Sequence, residues 1–277
     1  MKTNMETDAG ANVKSNVKSN VKSNVKSNVK SNVKSNGTTN GTTNVKSNGT
    51  TNEKAEGKTK GSTTLTELAF ILDKSGSMSG LEEDTIGGYN AMLKKQQKEA
   101  GEAVVTTVLF DDGYELLHDR INIKGIRPIT DKEYFVGGST ALLDAIGKTI
   151  QKIGNAQKNT MEDQRAGKVL FVITTDGMEN ASHEYTYEKI KTLVERQKEK
   201  FGWEFLFLGA NIDSMATAAK FGIHADRAAN YHADGVGTEL NYMAVCEAVS
   251  TIRSGKALSD DWKADVEADY RRRGGKK

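Results

Sequence analysis

The side chains best suited to chemistry in this 277-residue chain lie in three short stretches. Asp73-Lys74-Ser75-Gly76-Ser77 puts one carboxylate and two hydroxyls within five residues, directly after the apolar run Leu68-Ala69-Phe70-Ile71-Leu72. Gly137-Gly138-Ser139-Thr140 offers a hydroxyl beside glycines that permit close approach of a loop. Thr174-Thr175-Asp176-Gly177 supplies a second carboxylate after another apolar run. Oxygen-only side chains on tight loops suit a hard divalent cation such as Mg2+ or Mn2+. The candidate ligands are Asp73, Ser75, Ser77, Thr140 and Asp176. Two charged ligands leave the ion electron-poor, so an acidic group from a partner can complete its shell.

Three segments far apart in sequence meet only if the fold brings them together. Strands are expected at Leu65–Leu72, Val104–Phe110, Tyr114–Ile123, Lys168–Thr174 and Trp203–Leu208, with a weak last one at Ala228–Tyr231. Asp112-Gly113 reads as a hairpin turn between the second and third. Apolar residues at helical spacing predict helices over Leu81–Glu99, Ala141–Ile153, Tyr187–Lys200 and Thr238–Arg253, with a short one at Ser214–Phe221. Ser259 is placed to cap a final helix running to Tyr270. The alternation predicts an α/β domain: a doubly wound, mostly parallel sheet with helices on both faces and one antiparallel hairpin at its edge. In such sheets ligands bind beyond the carboxyl ends of the strands, where the strand order reverses. Asp73 ends the first strand and Asp176 the fourth. The two carboxylates share one spot if those strands are neighbours at the reversal.

Other polar residues have simpler readings. Glu179 and Asn180 follow Asp176 closely enough to line the rim of the site, though a helix-start cap or a solvated loop is the simpler reading. Asp213 reads as an N-cap, Asp111 and Asp112 as turn residues, and Asp144 as a carboxylate favoured in the first turn of a helix. His118, His183, His224 and His232 have no metal-ligand spacing, and Cys246 lies on an apolar helical face. Catalysis is not expected. Lys74-Ser75 stands where an Asp-x-Asp phosphatase start would need its second Asp, and the chain has neither a phosphate-binding loop nor a nucleophile elbow.

Residues 12–51 are ten successive tetrads, seven Asn-Val-Lys-Ser and three Asn-Gly-Thr-Thr. Val is their only apolar residue, so residues 1–62 are expected to be a disordered arm. Residues 63–255 would form the domain, and 256–277 a C-terminal helix with a basic tail. Residues 1–60 carry a net charge of +7, the last seven residues +5, and residues 61–270 a net of −10. An acidic domain with basic ends is not the pattern of a specific nucleic-acid binder. No apolar run is long enough to cross a membrane, and the first residues have no secretory h-region, so a cytoplasmic location is expected.

The order, spacing and flanking strands of Asp73-Lys74-Ser75-Gly76-Ser77-Met78, Gly137-Gly138-Ser139-Thr140 and Thr175-Asp176-Gly177 resemble the metal-ion-dependent adhesion site of von Willebrand factor type A (VWA) domains. The resemblance covers about residues 65–254 and is nearest to the intracellular bacterial or phage type. It implies a six-stranded sheet and a bound Mg2+ or Mn2+. Ser75, Ser77 and Thr140 would contact the ion through hydroxyls, and Asp73 and Asp176 directly or through water. It further implies a protein partner that supplies a carboxylate, such as an ATPase or a stress-response assembly. The alternative is a phage or host structural adaptor in which the repeat arm mediates interaction and the domain is a scaffold. Deleting residues 1–62 separates the two readings, since only the second loses its function with the arm.

Overall fold

The computed structural model describes residues 65–275. The repeat arm, and with it the expected disorder of residues 1–62, lies outside the described residues, as do Lys276 and Lys277. Six strands form one sheet: β1 (Thr66–Asp73), β2 (Ala103–Phe110), β3 (Tyr114–Asn122), β4 (Lys168–Thr175), β5 (Glu204–Ala210) and β6 (Ala228–Tyr231). Their order is β3-β2-β1-β4-β5-β6. Every neighbouring pair is parallel except β2 and β3. The chain fills one side of β1 with β2 and β3, then crosses to the other side with β4. The strand order therefore reverses between β1 and β4, as the placement of Asp73 and Asp176 requires.

Composition explains which strands are central. All eight residues of β1 are buried, as are seven of the eight in β4, so both read as near-continuous apolar runs covered on two faces. β3 forms the edge, and its Glu115, Asp119 and Asn122 keep that edge polar.

The helices are α1 (Glu82–Gln96), α2 (Leu142–Asn159), α3 (Tyr187–Phe201), α4 (Ser214–Lys220), α5 (Gly235–Arg253) and α6 (Ala264–Arg272). Alternate strand residues point to opposite faces. Leu68, Phe70, Leu72 and Val172 meet Tyr89 and Leu93 of α1, Val245 and Val249 of α5, and Val266 of α6. Ala69, Ile71, Phe171 and Ile173 meet Ile146 and Ile150 of α2, Ile190 and Val194 of α3, and Ala218 of α4. The sheet thus has a separate core on each face.

The expected elements all form, with shifted ends. α2 runs past Ile153 to Asn159, and α5 starts at Gly235 because the Asp234 carboxylate caps it by accepting the Gly237 N–H at 2.8 Å. The last helix differs most. A 3-10 turn over Asp260–Lys263 precedes α6, so Ser259 opens that turn and not a continuous helix. This segment is bound to the β6 side of the domain. Leu258, Trp262 and Val266 join the core, the Trp262 indole donates to the Asp226 carbonyl at 2.8 Å, and Lys263 Nζ donates to the carbonyls of Ala225 and Ala228.

α1 and α5 approach closely at Gly88, where a Cβ would lie 2.3 Å from Cδ2 of the buried Tyr242. Gly88→Ala gains about 1 kcal/mol of helix propensity but must displace a packed ring. A net loss of about 1–3 kcal/mol is expected from urea unfolding. Unchanged stability would show that the ring yields freely.

Candidate metal centre

β1 and β4 run side by side to their carboxyl ends, with Leu72 paired to Thr174. Asp73 closes β1, and Asp176 is the first residue after β4. Asp73 Oδ1 accepts the Ser75 N–H at 2.7 Å, which curls the following loop back over the strand end. Its Oδ2 accepts the Thr175 hydroxyl at 2.5 Å. The Tyr134 hydroxyl donates to the Asp73 carbonyl and fixes the strand end from the α1 side. Ser75 Oγ and Ser77 Oγ lie 3.1 Å apart, and Ser77 Oγ donates to Asp176 Oδ1 at 2.5 Å.

The second loop is laced to the first. Gly76 N donates to the Gly138 carbonyl at 3.1 Å, and Gly137 N to the Lys74 carbonyl at 2.9 Å. Of the two glycines only Gly138 is needed for space and conformation. It has φ +71, and a Cβ there would lie 2.2 Å from Asp112 Oδ1, whereas a Cβ on Gly137 would meet nothing within 4 Å. Gly177 is the close approach in the third loop. A Cβ there would lie 3.0 Å from Ser77 Oγ and 3.3 Å from Thr140 Oγ1. All five candidate residues thus come together. Asp73, Ser75, Thr140 and Asp176 are buried, and Ser77 forms the open side.

Burial pushes the Asp73 carboxyl up to about 6, aided by the nearby charge of Asp176 and opposed by the donors from Thr175 and Ser75. Burial also raises Asp176, against the Ser77 hydrogen bond. Asp176 Oδ2 is buried and has no hydrogen-bond partner among the described residues. A buried carboxylate oxygen left alone costs roughly 1–3 kcal/mol or more. Two carboxylates and three hydroxyls around such an orphaned oxygen fit a hard divalent cation, and the absence of sulfur and imidazole from this set fits Mg2+ or Mn2+ better than zinc.

Several residues hold the site in shape through contacts the sequence did not reveal. Asn180 lies on an exposed loop as read, but it also holds Thr140: its Oδ1 accepts the Thr140 N–H at 2.8 Å, and its own N–H donates to the Thr140 carbonyl at 3.0 Å. Glu179 does cap a helix, but it is the preceding α2, through the Leu143 N–H at 2.9 Å. Asp144 sits in the first turn of α2 as expected. Its carboxylate also accepts three backbone N–H groups, from His183, Glu184 and Tyr185. Burial would raise its pKa, but these donors outweigh burial and hold it below the usual range. Asp213 caps α4 through the Ala216 N–H, and Asp111 accepts the Gly113 N–H in the hairpin turn, both as read. His118 bonds Thr107, His232 bonds the Tyr270 carbonyl, and Cys246 is buried.

Removing an outer partner of a ligand typically costs 10–100-fold in metal affinity. Asn180→Ala is therefore expected to weaken Mg2+ binding about tenfold while leaving every candidate ligand in place. Titrating Mg2+ against the melting temperature measures this, and an unchanged midpoint would show that Thr140 is held without Asn180.

No protein-family model matches this sequence, and no curated protein matches it. Solved structures do align with it. One is the D319A mutant of the PilB minor pilin from Streptococcus sanguinis, at 14% identity and TM-score 0.49, over 73% of this chain and 63% of that one. Another is proximal thread matrix protein 1 from the mussel byssus, at 14% identity and TM-score 0.46, over 69% of this chain and 46% of that one. A third is the von Willebrand factor type A protein from Catenulispora acidiphila, at 13% identity and TM-score 0.47, over 68% and 43%. This chain therefore spans less than two thirds of the length of each.

Proposed function

We propose that residues 65–275 form a divalent-metal-dependent protein-binding module of the VWA kind, and not an enzyme. The observation that carries this reading is Asp176 Oδ2, buried without a partner among the described residues, beside Ser77, Ser75 and Thr140. Mg2+ or Mn2+ would be held by Asp73, Ser75, Ser77, Thr140 and Asp176. When bound, the ion supplies a Lewis-acidic position that a carboxylate of a protein partner can fill. Asp144, Glu179 and Asn180 fix the second and third loops against each other, so the donors are pre-positioned and little ordering remains to oppose binding. No His or Cys side chain among the described residues hydrogen-bonds any of the five, so the donor set is oxygen throughout.

Mn2+ binding to the full chain, read by the loss of the free-ion paramagnetic resonance signal, tests the proposal. One Mn2+ per chain is expected, competed by Mg2+ and lost in Asp176→Ala and Thr140→Ala. A folded chain that binds no Mn2+ would sink it.

A further inference from the structure

The partner's chemistry can be taken one step further, resting on the metal-site reading above. Acidic side chains flank two of the motif loops. Asp112 is exposed, packs against Gly138 and has no ion-pair partner among the described residues. Glu82 accepts the Gly80 N–H at 2.6 Å, just beyond Ser77, and the exposed Glu83 and Asp84 follow in the first turn of α1. Lys74, the cation of the motif loop, is buried, and its charge is already taken by Glu115 at 3.0 Å and Asp111 at 3.7 Å.

Two apolar side chains stand out near these acids. Phe135 is 58% exposed, with Lys74 Nζ 4.4 Å from its ring centroid, and Met178 is 74% exposed, two residues after Asp176. The pointer to a ligand is independent of these acids: it is the orphaned Asp176 Oδ2.

An acidic segment approaching this mouth is repelled. Four acids at about 10 Å in water would together oppose one incoming carboxylate by about tenfold in affinity. Yet the metal position calls for a carboxylate. We infer that the partner segment is basic apart from that one group: an Asp or Glu flanked by Lys or Arg, with an aliphatic or aromatic neighbour that covers Phe135 and Met178. The cations meet Asp112 and the first turn of α1, and the carboxylate meets the site. Such electrostatic matching sets specificity and association rate more than raw affinity.

The test is selection of a random phage-displayed peptide library on the full chain in Mg2+, with elution by EDTA. The expected peptides carry an acid with Lys or Arg within two positions and a large apolar residue. A synthesised one should bind more weakly as NaCl rises. It should lose about tenfold with the double variant Asp112→Lys/Glu83→Lys, a variant Mg2+ still stabilises. Eluted peptides with neutral or acidic flanks, or binding that strengthens with salt, would overturn the inference and leave the metal site intact. So would the absence of EDTA-eluted peptides from a chain that Mg2+ stabilises. A chain that Mg2+ does not stabilise removes the metal-site reading itself.

Discussion

Mg2+ at one hundred times its Kd is expected to raise the melting temperature of the full chain by about 5–10 °C over EDTA. Asp73→Asn should abolish that shift while raising the EDTA melting temperature at pH 8. The first number follows from mass action: such saturation contributes about 2.7 kcal/mol, and a domain of this size gains roughly 2–4 °C per kcal/mol. The second follows from burial. Asp73 has its pKa raised from 3.8 to about 6 in the metal-free fold. A carboxyl raised by folding penalises the fold once the unfolded chain ionises. The penalty therefore grows from about pH 4, is complete above about pH 6, and amounts to about 3 kcal/mol. Asparagine fills the same space without a charge and escapes that penalty, but it cannot neutralise a cation. The Mg2+ shift of the parent should accordingly be small at pH 5 and large at pH 8. A shift that survives Asp73→Asn would remove Asp73 from the site. A variant that melts lower in EDTA would show that the Asp73 hydrogen bonds outweigh its desolvation.

What was legible in the sequence was whatever local pattern encodes. β1 and β4 announce themselves because strands covered on both faces must be apolar. Once they are neighbours at the reversal, Asp73 and Asp176 converge without further information. The glycines of the loops marked close approach, though only Gly138 and Gly177 use it. Residues that hold the site were illegible because their partners lie far along the chain at no fixed spacing. Asn180 bonds Thr140 across 40 residues, Asp144 bonds Tyr185 across 41, and Tyr134 bonds Asp73 across 61. The start of α5 was missed for a different reason. Gly235 and Gly237 are poor helix formers, and only the Asp234 cap overrides them. The polar end of α2, Gly154-Asn155-Ala156-Gln157, likewise has no apolar period to betray it.

The far edge of the sheet carries a second large effect, independent of any metal. Glu67 is fully buried in β1, and both its oxygens accept from Arg120 Nε at 3.0 Å. Gln157 of α2 donates to Oε2 at 2.9 Å. Arg120 can reach inward because the β2–β3 register slips between Val105 and Thr107, and Arg120 takes φ 50 at that irregularity. A bulge of this kind re-aims a side chain. Arg120→Met keeps most of the packing volume but leaves a buried carboxylate with Gln157 alone. Breaking a buried pair from one side costs about 3–5 kcal/mol, so a melting-temperature loss of about 6–20 °C is expected. By contrast Lys95 and Glu247, each more than half exposed, form a pair whose loss should cost under about 1 kcal/mol. The pH dependence identifies the cause. Burial already raises the Glu67 pKa against the pull of Arg120, and loss of that cation raises it further. The unpaired carboxyl then folds best protonated, so the deficit of Arg120→Met should shrink from pH 8 to pH 5. Adding Glu67→Gln should recover part of it at pH 8. An Arg120→Met protein within about 1 kcal/mol of the parent by urea unfolding would mean that water or Gln157 satisfies Glu67 without the guanidinium. The bulge would then be a device for keeping the sheet edge unpaired, not for delivering a charge.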